Sequence, residues 1–150
     1  MAAHIREQIT AAVVTAVTGL TTTGTNVFRE RDTDAEPLAA GELPGLVVND
    51  AGGDAQILSL GISRKLERHL RLSIAAHVKT DSGYGTTLNL ILKEIEVALA
   101  GASLGGAKYG TIVEEAAREI AGGGDTNIAR QAFTFEFIYY TTHNTPDVAG

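Results

Sequence analysis

The longest regular pattern in the chain is a two-residue alternation. Leu66, Leu70, Leu72, Ile74, Ala76 and Val78 hold even positions, interrupted by Arg68, while Lys65, Glu67, His69, Arg71, Ser73, His77 and Lys79 hold odd ones, interrupted by Ala75. Successive side chains of a strand point to opposite faces, so this period predicts a long strand buried on one side and wet on the other. A second alternation starts at Ile128 and places Ala129, Gln131, Phe133, Phe135, Phe137, Tyr139 and Thr141 on one face. Its aromatic residues, each burying about 150–250 Å², would dominate a core.

Two stretches carry the helical period instead. Ile5, Ile9, Ala12, Val13, Ala16, Val17 and Leu20 recur at three- and four-residue steps within Ala3–Leu20, and Tyr84, Leu88, Ile91, Leu92, Ile95 and Leu99 do so within Tyr84–Ala100. Glycine and threonine end the first helix at Gly19–Gly24, and Gly101 with Gly105–Gly106 ends the second. Shorter strands are expected at Thr25–Arg29 and Leu46–Asn49, the latter closed by a turn at Asn49–Asp54 and followed by a brief apolar patch over Gln56–Ile62. Thr111–Ile120 fits a helical period, but its place in the element order favours a strand. Gly122–Asp125 is expected to be a flexible turn, and the chain beyond Thr142 a loose tail. The order of elements predicts one α+β domain spanning residues 1–150, a mostly antiparallel sheet with two helices packed on one face.

At 150 residues, with 44% hydrophobic and 20% charged positions, the chain is long enough for one domain and apolar enough to bury a core. Its formal charge of −6 argues against a surface built for nucleic-acid phosphates. Cysteine is absent, which removes disulfides, thiolate metal sites and cysteine nucleophiles. No run approaches the ~18 apolar residues of a membrane span, and Met1–Arg6 lacks the basic start and apolar run of a signal peptide. A soluble, unexported protein with no membrane partner is expected.

Candidate chemistry is sparse. Gly101, Ser103 and Gly105 match the G-x-S-x-G pattern, with Asp125 and His143 following in the order of a hydrolase triad. That chemistry needs the serine on a strand-to-helix turn, whereas this segment follows a predicted helix. The glycines at 105–106 and 122–124 lack the spacing of a phosphate loop. His69 and His77, eight residues apart on one strand, would stand roughly 26–27 Å apart and cannot share a metal ion within one chain. Glu94 with Glu96, and Glu114 with Glu115, are better explained as solvated faces than as acid–base pairs. No catalytic, cofactor or metal site is therefore expected.

Charge is distributed unevenly. Glu30–Asp54 contains seven acids and one base, and Arg64–Lys79 contains five bases and one acid. Either the two segments neutralise each other within one chain, or the acidic loop of one subunit meets the basic strand of the next. The second alternative selects Glu30, Asp32, Asp34, Glu36, Arg64, Lys65, Arg68 and Arg71 as interface residues, in a head-to-tail contact that closes into a ring when the rotation permits.

Several segments together resemble a known family. They are an N-terminal amphipathic helix opening on Ile5-Arg6, a Leu43-Pro44 step into Leu46-Val47-Val48, the long basic strand, a helix carrying Ile91, Ile95-Glu96 and Leu99, and a closing strand from Phe133 to Thr141 followed by Pro146. In pattern and order, over about Ala3–Pro146, the chain resembles the tail terminator, or tail completion, proteins of long-tailed bacteriophages. The resemblance implies a non-catalytic α+β subunit without cofactors, which forms a homo-hexameric ring on the head-proximal end of the tail tube. It also implies that the ring stops tube polymerisation and presents a surface to the head-completion or neck protein, located in the virion and, during assembly, in the host cytoplasm. DNA would pass through the lumen without specific binding, a role that net acidity suits. A neck or head-closure connector shares the same outline. A small intracellular ligand-binding domain, with Ser103 or the aromatic strand lining a pocket, is the alternative from a different class.

Overall fold

A computed structural model describes residues 3–33, 36–61, 64–80, 83–105, 107, 109–123, 126–142 and 145–146. The first helix, α1 (Ile5–Val17), begins where the His4 imidazole accepts the backbone N–H of Arg6 at 3.0 Å, and it buries Ile5, Ile9, Val13 and Val17 along one stripe. The Thr18 backbone is extended and Gly19 is left-handed (φ +90°), which ends the helix one turn earlier than the apolar period implies.

A short strand, β1 (Val27–Arg29), pairs in parallel with β2 (Gly45–Ile57), and β2 continues as the antiparallel partner of β3 (Lys65–Lys79). The second helix, α2 (Tyr84–Gly101), follows, then β4 (Tyr109–Glu115), β5 (Glu119–Gly123) and β6 (Thr126–Thr142). The sheet order is β1-β2-β3-β6-β4, with β5 also pairing on β6. The α+β class and the mostly antiparallel sheet are as expected.

The core lies on one face of the sheet, beneath both helices. Leu46 and Val48 of β2, Leu70, Leu72, Ile74 and Ala76 of β3, and Phe133, Phe135, Phe137 and Tyr139 of β6 pack with Ile9, Val13, Leu88, Ile91 and Ile95. This is the set that the two alternations select, because every second side chain of β3 and β6 faces the helices.

Four local expectations are corrected. The second strand does not stop at Asn49. It runs through the expected turn to Ile57, because β3 supplies a hydrogen-bonding partner throughout, and the extra residues are absorbed in a bulge between Asp50 and Gly53, where Gly52 is left-handed (φ +94°). Gly53 sits so close to the other strand that a Cβ there would collide with the backbone carbonyl of His69. Gly53→Ala is therefore expected to loosen the distal hairpin, with faster amide exchange at Leu66–Leu70 as the readout. The expected strand at 111–120 is two strands, β4 and β5, separated at 116–118, both on the same edge of β6. Gly122 and Gly123 belong to β5 rather than to a flexible turn. Finally, Pro146 is held against the first helix: its carbonyl accepts the N–H of Ile5 at 2.9 Å, satisfying a donor in the first turn of α1. The remainder of the expected tail, 143–144 and 147–150, lies outside the described residues.

Candidate interaction surfaces

The face of the sheet turned away from the helices carries a band of ion pairs. Opposite each other in register stand Asp54, His69 and Ile138 across β2, β3 and β6, with Arg71 beside Glu136 one step along. Arg71 reaches Glu136 at 2.9 Å and Asp54 at 3.2 Å. His69 lies 3.1 Å from both Glu67 and Glu136, and Tyr140 donates its hydroxyl to Glu67 at 3.2 Å. The Glu67 hydrogen bond, reinforced by Glu136 and Asp54, holds the His69 pKa above its ordinary value. Among the described residues no group of three or more His, Asp or Glu is placed to hold a metal ion, and no helix is long and apolar enough to cross a membrane.

The acidic loop folds over the other end of the same face. Leu38 is buried there, and Arg31 is the loop's hub: its guanidinium lies over the Phe28 ring, pairs with Glu42 at 2.9 Å and donates to the carbonyls of Glu36 and Pro37. Glu30 stands 3.7 Å from Arg29, and Glu36 4.0 Å from Arg31. Asp32 is likewise engaged, and Asp34 lies outside the described residues. The loop's charge is thus met in part by Arg31 within it and by Arg29 at the end of β1. Across the two segments, Asp54, at the far end of the acidic one, pairs with Arg71 of the basic strand.

Nor does the basic strand present a single face. Arg68 points to the helix side, where its guanidinium lies 3.0 Å from His4 and over the Tyr139 ring, while Arg71 points to the opposite side. Lys65 lies over the Tyr140 ring. Arg64 is exposed and makes no ion pair with a described residue. The odd face is also not uniformly wet. His77 is only 2% exposed, because the acidic loop covers the end of β3, a long-range contact that no local period reports.

The aromatic residues Phe133, Phe135, Phe137 and Tyr139 are buried in the core. Ser103 is exposed just beyond the C-terminal end of α2, not on a strand-to-helix turn; its sequence partners Asp125 and His143 lie outside the described residues.

Sequence reasoning missed a set of exposed apolar side chains. The distal half of β2, residues 50–57, is exposed throughout, and Ile57, Leu58 and Leu60 at the hairpin end are 51%, 48% and 87% exposed. On α2, Leu90 and Val97 point outward, at 47% and 65%. The signal was present in the apolar patch over 56–62 and in the breadth of the α2 apolar stripe, which exceeds what one buried face needs.

No protein-family model matches the chain, and no curated protein does. Among solved structures, the chain is similar to one from the virion of a native gene transfer agent particle, with 17% identity over 92% of each chain and a TM-score of 0.38.

Proposed function

We propose that this chain is a structural subunit of a phage-like virion, and specifically a tail terminator. In this reading six copies form a ring at the head-proximal end of the tail tube, stop its polymerisation and offer a joining surface to the neck protein. The ring performs no catalysis and lets DNA pass without specific binding.

The observation that carries the reading is the β2–β3 hairpin. β1 covers only Leu46–Val48 of β2, so residues 50–57 form an open sheet edge that leads into an exposed apolar tip. Monomeric proteins blunt or cover such edges and rarely expose linked apolar side chains, whereas a subunit that assembles retains them as contacts. The family resemblance in pattern and element order supplies the particular assembly. Of the eight charged residues proposed for the contact between copies, Arg64 and Lys65 are the best placed for it, both being exposed and neither in an ion pair with a described residue.

Mass photometry with negative-stain imaging tests the reading. An annular species of six 15.7 kDa chains, about 94 kDa, is expected as concentration rises or when tail tubes are added. A chain that stays monomeric and leaves tube ends uncapped would overturn it. A ring that binds head-completion proteins but no tube end would favour the neck connector instead.

A further inference from the structure

On the sheet face turned away from the helices, a small cavity opens between the acidic loop and the link from β4 to β5. Register builds its floor: Ala75 of β3 stands opposite Ala132 of β6, and His77 opposite Arg130. Ala116 and Ala117 of the link line one side, and Thr33 of the loop lines another, around a space of about 210 Å³. His77 lies at the buried end, whereas Ala117 and Glu119 are exposed at the mouth.

Both walls are held. The N–H of Ala116 donates to the Ala132 carbonyl at 2.9 Å, and the Gln131 side-chain amide donates to the Ala116 carbonyl at 2.9 Å. The loop is fixed through Arg31, which joins Glu42 to the carbonyls of Glu36 and Pro37. A molecule that enters meets a formed site, so little order remains to be imposed on binding.

Three features define the chemistry of that molecule. The first is the His77 Nε2, buried and without a hydrogen-bond partner among the described residues, which calls for a polar group beside the ring. In the tautomer protonated at Nε2, the imidazole offers a donor. The second is charge. Burial, together with Arg130 and Arg31, depresses the His77 pKa, so the charged neighbours acting on the ring are cations. Arg130 pairs through its Nε with Glu119 at 2.9 Å, but the Glu119 side chain is 63% exposed and that of Arg130 only 27%, which puts the carboxylate on the solvent side. The third is the rest of the lining, four alanines and Thr33 among the described residues, which leaves room for a few carbon atoms and gives them an apolar bed.

We propose that this cavity binds a short aliphatic carboxylate, its oxygens taking the His77 Nε2–H and the Arg130 guanidinium and its carbon chain lying on the alanines. Glu119 is then a competing anion at the mouth. A free acid and the C-terminal carboxylate of a peptide share this chemistry. The site goes beyond the ring reading and does not depend on it.

Titration of the isotope-labelled full chain with propionate, at constant ionic strength, is expected to shift the amide signals of Ala75, His77, Ala116 and Arg130 saturably and to raise the urea midpoint. Arg130→Gln, and His77→Phe, which keeps a ring but removes the donor, are each expected to weaken binding by about tenfold to a hundredfold, the range for one hydrogen bond to a charged group. Glu119→Gln, at an exposed position, is expected to tighten it, because the competing carboxylate is gone. A variant that merely folded less well would not bind more tightly. Acetyl-dialanine with a free C-terminus is the second probe. Binding of propionate shows that a free acid suffices, and binding of the peptide alone assigns the carboxylate to a chain end; either result supports the site. Equal binding of neutral propionamide, preference for inorganic phosphate, weaker binding by Glu119→Gln, or no saturable shift with either carboxylate would each overturn the proposal.

Discussion

Phe137→Ala is expected to cost about 4–5 kcal/mol, the upper part of the range for truncating a buried phenylalanine. Phe137 has no exposed surface. Its backbone is paired on both sides, with Leu70 of β3 and Gly110 of β4, so the sheet cannot collapse into the space the ring vacates. The ring also explains a glycine: a Cβ at Gly110 would lie 2.5 Å from its Cε1. Domains of this size are stable by roughly 5–15 kcal/mol, so the loss takes about a quarter of the total or more. A urea midpoint lowered at constant slope is the measurement, and a cost below about 2 kcal/mol would mean that the site relaxes as the paired strands should forbid. Gly110→Ala is expected to destabilise the wild type and to do less harm in the Phe137→Ala background, because one substitution makes the room that the other needs.

That prediction was within reach of the sequence. The elements with the longest periods, β3, β6 and α2, occupy nearly the residues that the pattern assigns to them. Their burial is decided by neighbours one pleat or one turn away. Where a distant partner decides, the local signal misled: Asp50–Asp54 has turn composition, yet β3 holds it in the sheet, and 111–120 has a helical period, yet β6 draws it into two strands. The charge separation was legible, but its outcome was not, since Arg31 and Arg71 find partners on the loop and across the strands. The hairpin tip and the exposed apolar side chains of α2 were missed for a different reason. A local apolar pattern shows that a side chain is oily without showing whether its own chain covers it.

Stability is expected to fall by about 2 kcal/mol between pH 6.5 and pH 4.5 through His77 alone. His77 stands opposite Gly45 on β2 and Arg130 on β6, under the acidic loop, and its Nε2 has no hydrogen-bond partner. A cavity of about 210 Å³ beside it is lined by Thr33, Ala116, Glu119 and Arg130. Burial, with Arg130 and Arg31 nearby, lowers its pKa to about 4. The unfolded chain therefore takes up a proton near pH 6.5 that the folded chain refuses until about pH 4. The stability His77 contributes is full above pH 6.5 and is lost as pH falls toward its folded pKa. Other groups act outside this window. His69, with its raised pKa, contributes stability that is full below pH 6.5 and lost as pH rises above it, and Glu7 and Glu42, with lowered pKa values, lose theirs below about 4.5. Urea midpoints at pH 6.5 and 4.5 should thus differ for the wild type and nearly coincide for His77→Gln. Limited proteolysis locates the effect: protonation opposes closure of the loop over β3, so cleavage within 30–42 should rise at pH 4.5 in the wild type and not in the variant. A wild type equally stable at both pH values would mean that the loop does not keep water from His77.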